Sequence, residues 1–418
     1  MADRNMRILA LVLAGGLAGS LLWGVETLLA LTSETDPGVA MLRAAKEAGR
    51  PFDLRSRREV VADLRAEGVD AVPRLVPAAL LEEQPGGRLR SMLDLGGDEL
   101  LPLAGISEVT TVLCNETGSY AVYESDEHGF RNPVRSWATA PVELALIGDS
   151  FTIGECVPNG NTIADRLRLD GVEIVNLGYS GNSPLQELAT LVEYGPRLEP
   201  RISLWLFFEN DLAFFDLPRS ARAPLLMRYL ERGLSQSLVD RQVEIDFQLR
   251  TLIETDSAQP DDSNVFDEAG SRVEWRRAAM TDWVTLKRLR RALSRLRGRV
   301  ASDRPALDDR LLEAILERAR DHVADWNGEL VVVFLPGVWN FEGGGEPPRW
   351  SHPDSRSAVT RIARDLELRL LDMQTILEGH ADPTSLYSFP GQSRFGSPHM
   401  NAEGYAETAE AIDALLRD

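Results

Sequence analysis

The sequence predicts an α/β fold, a doubly wound parallel sheet with helices on both faces, and three observations carry that reading. Apolar runs of strand length at 142–147, 172–177, 202–208 and 330–335 alternate with segments of helical period at 162–169 and 183–194. The runs are apolar almost throughout, as strands buried on both faces are. The first three end in polar turns: Gly148-Asp149-Ser150, the stretch 176–182, and Glu209-Asn210-Asp211. Open α/β sheets bind ligands at the carboxyl ends of their strands, so these turns are where chemistry is expected.

The composition bounds the function. A chain of 418 residues with 44% hydrophobic and 26% charged residues has ample core for one large domain or two smaller ones. A formal net charge of −20 argues against nucleic acid as a partner, since phosphate binding needs clustered cations. The two cysteines, Cys114 and Cys156, are too far apart in sequence for a CxxC motif and the five histidines are scattered, so no metal site or cofactor is expected. The cysteine pair can form a disulfide or remain two buried thiols.

From the amino terminus, residues 1–32 read as a signal-anchor transmembrane helix. Arg4 and Arg7 precede an almost uncharged run, 8–32, broken only by Glu26 near its end. About 20 apolar residues span a bilayer, and the run exceeds the roughly 7 to 15 residues of a secretory signal core. Small residues such as Ala30 still leave a cleaved signal peptide open as the alternative. Arginines before the run and Glu34 and Asp36 after it put the amino terminus in the cytoplasm and the remainder outside the membrane, periplasmic or extracellular.

Residues 33–140 read as an appended region, and 141–418 as the catalytic domain. In the first, Val60, Val61 and Leu64 give a helical period ended by Gly68, and Pro73, Pro77 and Pro85 interrupt regular structure beyond it. Short strands are expected at 109–113 and 120–123 around the turn Asn115-Glu116-Thr117-Gly118, then an extended lead-in over 126–133. In the second, a helical insertion occupies about 212–325, with an acidic middle at 256–264. Its 283–300 stretch sets Trp283, Leu286, Leu289, Leu293 and Leu296 on one face and arginines on the others. That face packs on the domain, or the arginines meet an anionic lipid or polysaccharide.

Ser150 stands where a strand turns into a helix, with backbone N–H groups beside it. Gly181 permits close approach of a backbone donor to a tetrahedral intermediate, and Asn210 offers an amide without adding charge. His399 lies in a loop before a helix over 405–416, within reach of the sheet edge as a general base. The order and approximate spacing of Gly148-Asp149-Ser150-Phe151, residues 176–181, Asn210-Asp211 and His399 resemble the SGNH (GDSL) hydrolase family. That resemblance implies a flavodoxin-like core, Ser150 as nucleophile, Gly181 and Asn210 as oxyanion donors, and His399 as base. Ser180 does not fit the GxSxG elbow, because Asn182 stands where the last glycine belongs.

Two positions depart from the family pattern. Glu209 replaces the glycine before Asn-Asp, which puts a carboxylate near the site. Gly396 replaces the aspartate three residues before the histidine, so a Ser150–His399 dyad is expected, its other ring nitrogen bonded to a backbone carbonyl or a nearby side-chain oxygen, of which Ser397 is the closest in sequence. The expected function is a serine esterase acting through an acyl-serine on O-acyl, chiefly acetyl, esters of a cell-surface glycan or lipid. An O-acetyltransferase of an exported polysaccharide is the alternative. From another class comes a catalytically silent glycan-binding or assembly protein; oligomeric state is not readable.

Overall fold

The computed structural model describes residues 45–47, 49–95, 97–169, 171–212, 217–255, 309–342, 351–388 and 399–417, with positions 22, 24 and 25. The rest of the expected membrane anchor, the insertion's acidic middle and arginine-bearing stretch, and Gly396 and Ser397 lie outside the described residues. Among the described residues no helix is long and apolar enough to cross a membrane.

The amino-terminal region begins with α1 (Arg57–Ala66), set by a capping box. Ser56 Oγ accepts from the Glu59 N–H at 3.2 Å while the Glu59 carboxylate accepts from the Ser56 N–H at 2.7 Å, which satisfies two orphan donors of the first turn. Its Val60 and Val61 pack with Ala71 and Val112. Next comes a small sheet in the order β1 (Ala71–Pro73), β6 (Thr110–Val112), β7 (Val122–Glu124). Between β1 and β6 lie two hairpins, β2 (Leu81–Glu83) with β3 (Leu89–Ser91), and β4 (Leu93–Leu95) with β5 (Asp98–Leu100). The β6 and β7 strands are antiparallel across the expected turn, where Asn115 Oδ1 accepts from the Gly118 N–H at 3.0 Å.

The main sheet is wholly parallel. It comprises β8 (Leu144–Gly148), β9 (Ile174–Asn176), β10 (Ile202–Phe208), β11 (Glu329–Leu335) and β12 (Arg369–Asp372), in the order β9-β8-β10-β11-β12. Renumbered from its first strand this is 2-1-3-4-5, the flavodoxin-like order, whose switch point lies between β8 and β10. Along each strand successive side chains enter opposite layers. Ala145, Ile147, Val175, Trp205, Phe207 and Val332 join one cluster, and Leu144, Leu146, Ile174, Leu204, Leu206 and Val331 the other. Fully burying such a side chain contributes about 1.5–3 kcal/mol, whereas a surface ion pair such as Arg201–Glu143 contributes about 0–1 kcal/mol. Apolar burial on both faces therefore holds the sheet.

Among the helices that follow, those that matter for the core and the site are α2 (Ser150–Ile153), α3 (Ile163–Leu169), α4 (Pro184–Leu198), α5 (Gln242–Thr255), α6 (Asp309–Ala324), α7 (Ser355–Asp365) and α8 (Ala402–Arg417). The first cluster takes in residues of α4, α6 and α7, and the second residues of α3 and α8. Within the span read as an insertion, α6 buries Leu312, Ile315, Leu316 and Val323 and packs on α4 and β11, so it is the sheet's own crossover helix between β10 and β11.

The amino-terminal region shares this core. Val72, Leu80, Leu101, Phe130 and Trp137 belong to the same cluster as Tyr179, Leu185 and Tyr194, and the Phe130 and Tyr194 rings meet edge to face at 4.9 Å. The stretch expected as an extended lead-in is a buried polar node. The Asp126 carboxylate accepts from Asn132 Nδ2 and Trp137 Nε1, each at 2.8 Å, and burial pushes its carboxyl up to about 6. Asn132 in turn bonds both backbone groups of Asn176, at 2.7 and 2.9 Å, and so docks the region onto the end of β9.

Candidate active site

The strand β8 ends at Gly148, whose φ of +154° and surroundings admit only glycine: a Cβ there would lie 2.1 Å from Thr152 Oγ1 and 2.6 Å from the Leu206 carbonyl oxygen. Asp149 then caps α2, its Oδ1 accepting from the Phe151 N–H at 2.9 Å. Ser150 opens the helix half-buried, as expected of a strand-to-helix turn. The turn is held from outside by buried groups. The Arg131 guanidinium donates to the carbonyls of Gly154 at 2.7 Å and Val157 at 2.8 Å, and Asn176 Nδ2 donates to the Thr152 carbonyl at 2.7 Å.

His399 reaches this turn from the far end of the chain. Its backbone is fixed by a bridge between Tyr387 and Met400 and by the Ser388 N–H, which donates to the His399 carbonyl at 3.1 Å. Its Nε2 lies 2.8 Å from Ser150 Oγ, so the structure brings together the two residues on which the sequence reading rests. The surroundings of Nδ1 correct that reading. Where a backbone carbonyl or Ser397 is expected, the carboxylate of Glu116 lies 2.8 Å from Nδ1. Both groups are buried.

Burial opposes a charge on His399, but the Glu116 carboxylate, as a charge and as an acceptor, outweighs it with help from Glu155 and Asp149, and the imidazole titrates above its ordinary range. Burial likewise raises the Asp149 carboxyl, which accepts from Ser150 Oγ at 3.2 Å. The remaining histidines serve packing and turns: His128 meets the Trp137 ring edge-on at 4.4 Å, His322 the Trp326 ring at 5.2 Å, and His352 and His380 accept from nearby backbone N–H groups.

Gly181 and Asn210 lie just beyond β9 and β10, the two strands that flank β8, so their turns border the Ser150 turn on either side. Gly181 has φ +73°, and a Cβ would lie 2.6 Å from Val76 Cγ1 of the amino-terminal region. Beside it, the Ser180 hydroxyl donates to the buried Glu155 carboxylate, which is paired with the half-buried Arg74. One carboxylate thus links the loop after Ser150, the Gly181 loop and the amino-terminal region. Asn210 is shaped by its neighbour, since Asp211 Oδ2 accepts from the Phe208 N–H at 2.9 Å and closes the turn. Glu209 is turned into a clamp of its own: its carboxylate accepts from Trp339 Nε1 at 2.8 Å, from Asn340 Nδ2, and from Ser351 Oγ at 3.1 Å. Burial raises its pKa above the ordinary carboxylate range.

Cys114 and Cys156 form a disulfide with Cα atoms 5.1 Å apart. Their sulfurs and the Glu155 carboxylate are the one group among the described residues with metal-like spacing, within 4.8 Å. With the sulfurs bonded to each other, that group lacks the thiolates that would bind a metal.

A parallel sheet of 2-1-3-4-5 order, with a serine hydroxyl and an imidazole in contact at its switch point, places the chain among α/β hydrolytic enzymes. The family model for GDSL-like lipases and acylhydrolases matches residues 146–407; the chain belongs to that family and is a hydrolase of ester bonds. No curated protein matches the sequence. Among the solved structures similar to it are these two. One is a proposed acylhydrolase from Bacteroides fragilis NCTC 9343, at 11% identity over 66% of this chain and 86% of that one, with TM-score 0.32. The other is LAE5, an α/β hydrolase enzyme from the metagenome of Lake Arreo, Spain, at 16% identity over 67% of this chain and 96% of that one, with TM-score 0.31.

Proposed function

We propose that the protein is a serine esterase that removes O-acyl, chiefly acetyl, groups from a cell-surface glycan or lipid while tethered outside the cytoplasmic membrane. The observation that carries the chemistry is the 2.8 Å contact between Ser150 Oγ and His399 Nε2. His399 takes the hydroxyl proton as Ser150 Oγ bonds to the ester carbonyl carbon, and the Gly181 N–H and Asn210 amide receive the oxyanion. The C–O bond to the leaving alkoxide then breaks, and the imidazolium returns its proton to that alkoxide. Water deprotonated by the same imidazole attacks the acyl-serine and releases the acid.

The silent-binding reading rests on the missing aspartate and on Glu209. A carboxylate does stand beside the imidazole, and Glu209 is tied to Trp339, Asn340 and Ser351. The test is fluorophosphonate labelling of residues 33–418, joined to acetate release from acetylated glycans. No adduct on Ser150 and no acetate would defeat the proposal; acetate appearing on a sugar acceptor would turn it into an acetyltransferase.

Asn210→Ala is expected to lower kcat by roughly 10² to 10³, the usual effect of deleting one oxyanion donor. Steady-state kinetics on nitrophenyl acetate check it, and an unchanged kcat would take this amide out of the mechanism. For location, the apolar run at 8–32 supports a tether, and a disulfide buried beside the site suits an oxidising compartment. Protease added outside the cytoplasmic membrane is expected to digest the large domain; protection there, with the protein in the soluble cytoplasmic fraction, would refute the tether.

A further inference from the structure

We infer that Glu116 completes the site as its acid, a positioning residue that acts through His399 and is supplied from outside the region the family model matches. The inference deepens the esterase reading and rests on it. The position where the family carries its aspartate holds Gly396, and the family match begins at residue 146. Glu116 arrives instead from 283 residues before the histidine, with its carboxylate 2.8 Å from Nδ1.

That bond chooses the tautomer. With the Nδ1 proton donated to Glu116, a neutral imidazole carries its lone pair on Nε2, the atom that faces the Ser150 hydroxyl. Once Nε2 has taken the proton, the same carboxylate faces the imidazolium directly. Serine activation and charge stabilisation thus both fall to one side chain.

The carboxylate is held where it must be by its neighbours in sequence. Cys114, two residues before, is bonded to Cys156, six residues after Ser150. Asn115 Nδ2 donates to the Asp53 carbonyl at 2.8 Å, and Thr117 Oγ1 donates to the Cys156 carbonyl at 3.2 Å. The turn that carries Glu116 and the loop that carries Ser150 are therefore one cross-linked unit. Around the imidazole stand three carboxyl groups, Glu116, Asp149 and Glu155, of which Glu155 is paired with Arg74 and Asp149 faces the serine.

The experiment is the pH profile of fluorophosphonate labelling of Ser150 in the full, disulfide-bonded chain, with folding checked by circular dichroism. Neutral imidazole is the reactive form, so the wild-type rate rises with pH, and its midpoint lies above the ordinary value of about 6.5 because His399 is held charged. Glu116→Gln is expected to lower the plateau rate by roughly 10² to 10⁴, the range for losing the acid of such a site, and to move the midpoint to lower pH. In esterase assays KM stays unchanged, since Glu116 touches no substrate, and Glu116→Asp restores part of kcat. A Glu116→Gln protein with wild-type rate and midpoint would overturn the inference. Should that variant not fold, nitrogen-15 spectra of wild-type His399 above the midpoint decide: a proton on Nδ1 supports the assignment, and a proton on Nε2 refutes it. That spectrum reads the tautomer that the bond to Glu116 selects, whereas an unlabelled wild-type serine would strike at the esterase reading itself.

Discussion

Ser150→Ala is expected to lower turnover by several powers of ten, leaving at most the roughly 10³ to 10⁴-fold advantage over water that binding and oxyanion donors supply alone. The loss should be almost purely kinetic. Ser150 is half-buried and its hydroxyl meets only His399 and Asp149 among the described partners, so its removal opens space for one water beside the imidazole. Substitutions at partly exposed positions without a packing role usually change stability by about 0.5 kcal/mol or less. Turnover of nitrophenyl acetate and a thermal melt of the same sample separate the two effects. An active Ser150→Ala enzyme would remove this serine from the chemistry, and an inactive but unfolded one would mean that the turn after β8 depends on the hydroxyl.

The second large effect belongs to the disulfide. Cys114 and Cys156 are 42 residues apart, and closing a loop of that length removes enough freedom from the unfolded chain to stabilise the fold by about 4 kcal/mol. That is a large share of the about 5–15 kcal/mol by which domains are stable. Both sulfurs are buried, so Cys114→Ser with Cys156→Ser also buries two hydroxyls that need partners. The double variant is expected to unfold at clearly lower urea and to lose activity before it unfolds, because the cross-link joins the loop of Glu116 to that of Ser150. Equilibrium unfolding with and without reductant measures the first effect. Equal midpoints would show that the cross-link contributes nothing to stability.

Burial decides how much of the fold is legible in the sequence. The strands β8, β10 and β11 are continuous apolar runs because both faces of a central strand are covered, and the edge strand β9 is readable with them because Ile174 and Val175 are buried on opposite faces. The edge strand β12 is four residues long and only half-buried, with Arg369 and Asp372 at its ends, so it gives no apolar signal. Helix α6 falls within a span that reads as an insertion, since a crossover helix preceded by a long excursion carries no local mark of its connection.

The site divides the same way. Ser150, Gly181 and Asn210 each close a strand and are legible from their own neighbours, and His399 sits just ahead of a helix start. Glu116 lies in a turn that Asn115 and Gly118 already explain, and its partner is 283 residues away. One local signal does point to it: Cys114 two residues before and Cys156 six after Ser150 mean that a disulfide would bring this turn to the nucleophile. Taken as a distance between loops, the cysteine pair supplies the missing acid.

The separation of Glu116 and Ser150 from His399 also has a meaning in time. Ribosomes make the amino end first, so the hydroxyl and the carboxylate exist long before the imidazole, which comes 249 residues after Ser150. A nascent chain stopped between residues 208 and 399 holds the segments of β8, β9 and β10 and Ser150 but not His399. Helix α8, which comes after His399, packs against α3 and fixes that end of the chain on the sheet. The contact between Ser150 and His399 can therefore form only after 249 further residues have followed the serine out of the ribosome.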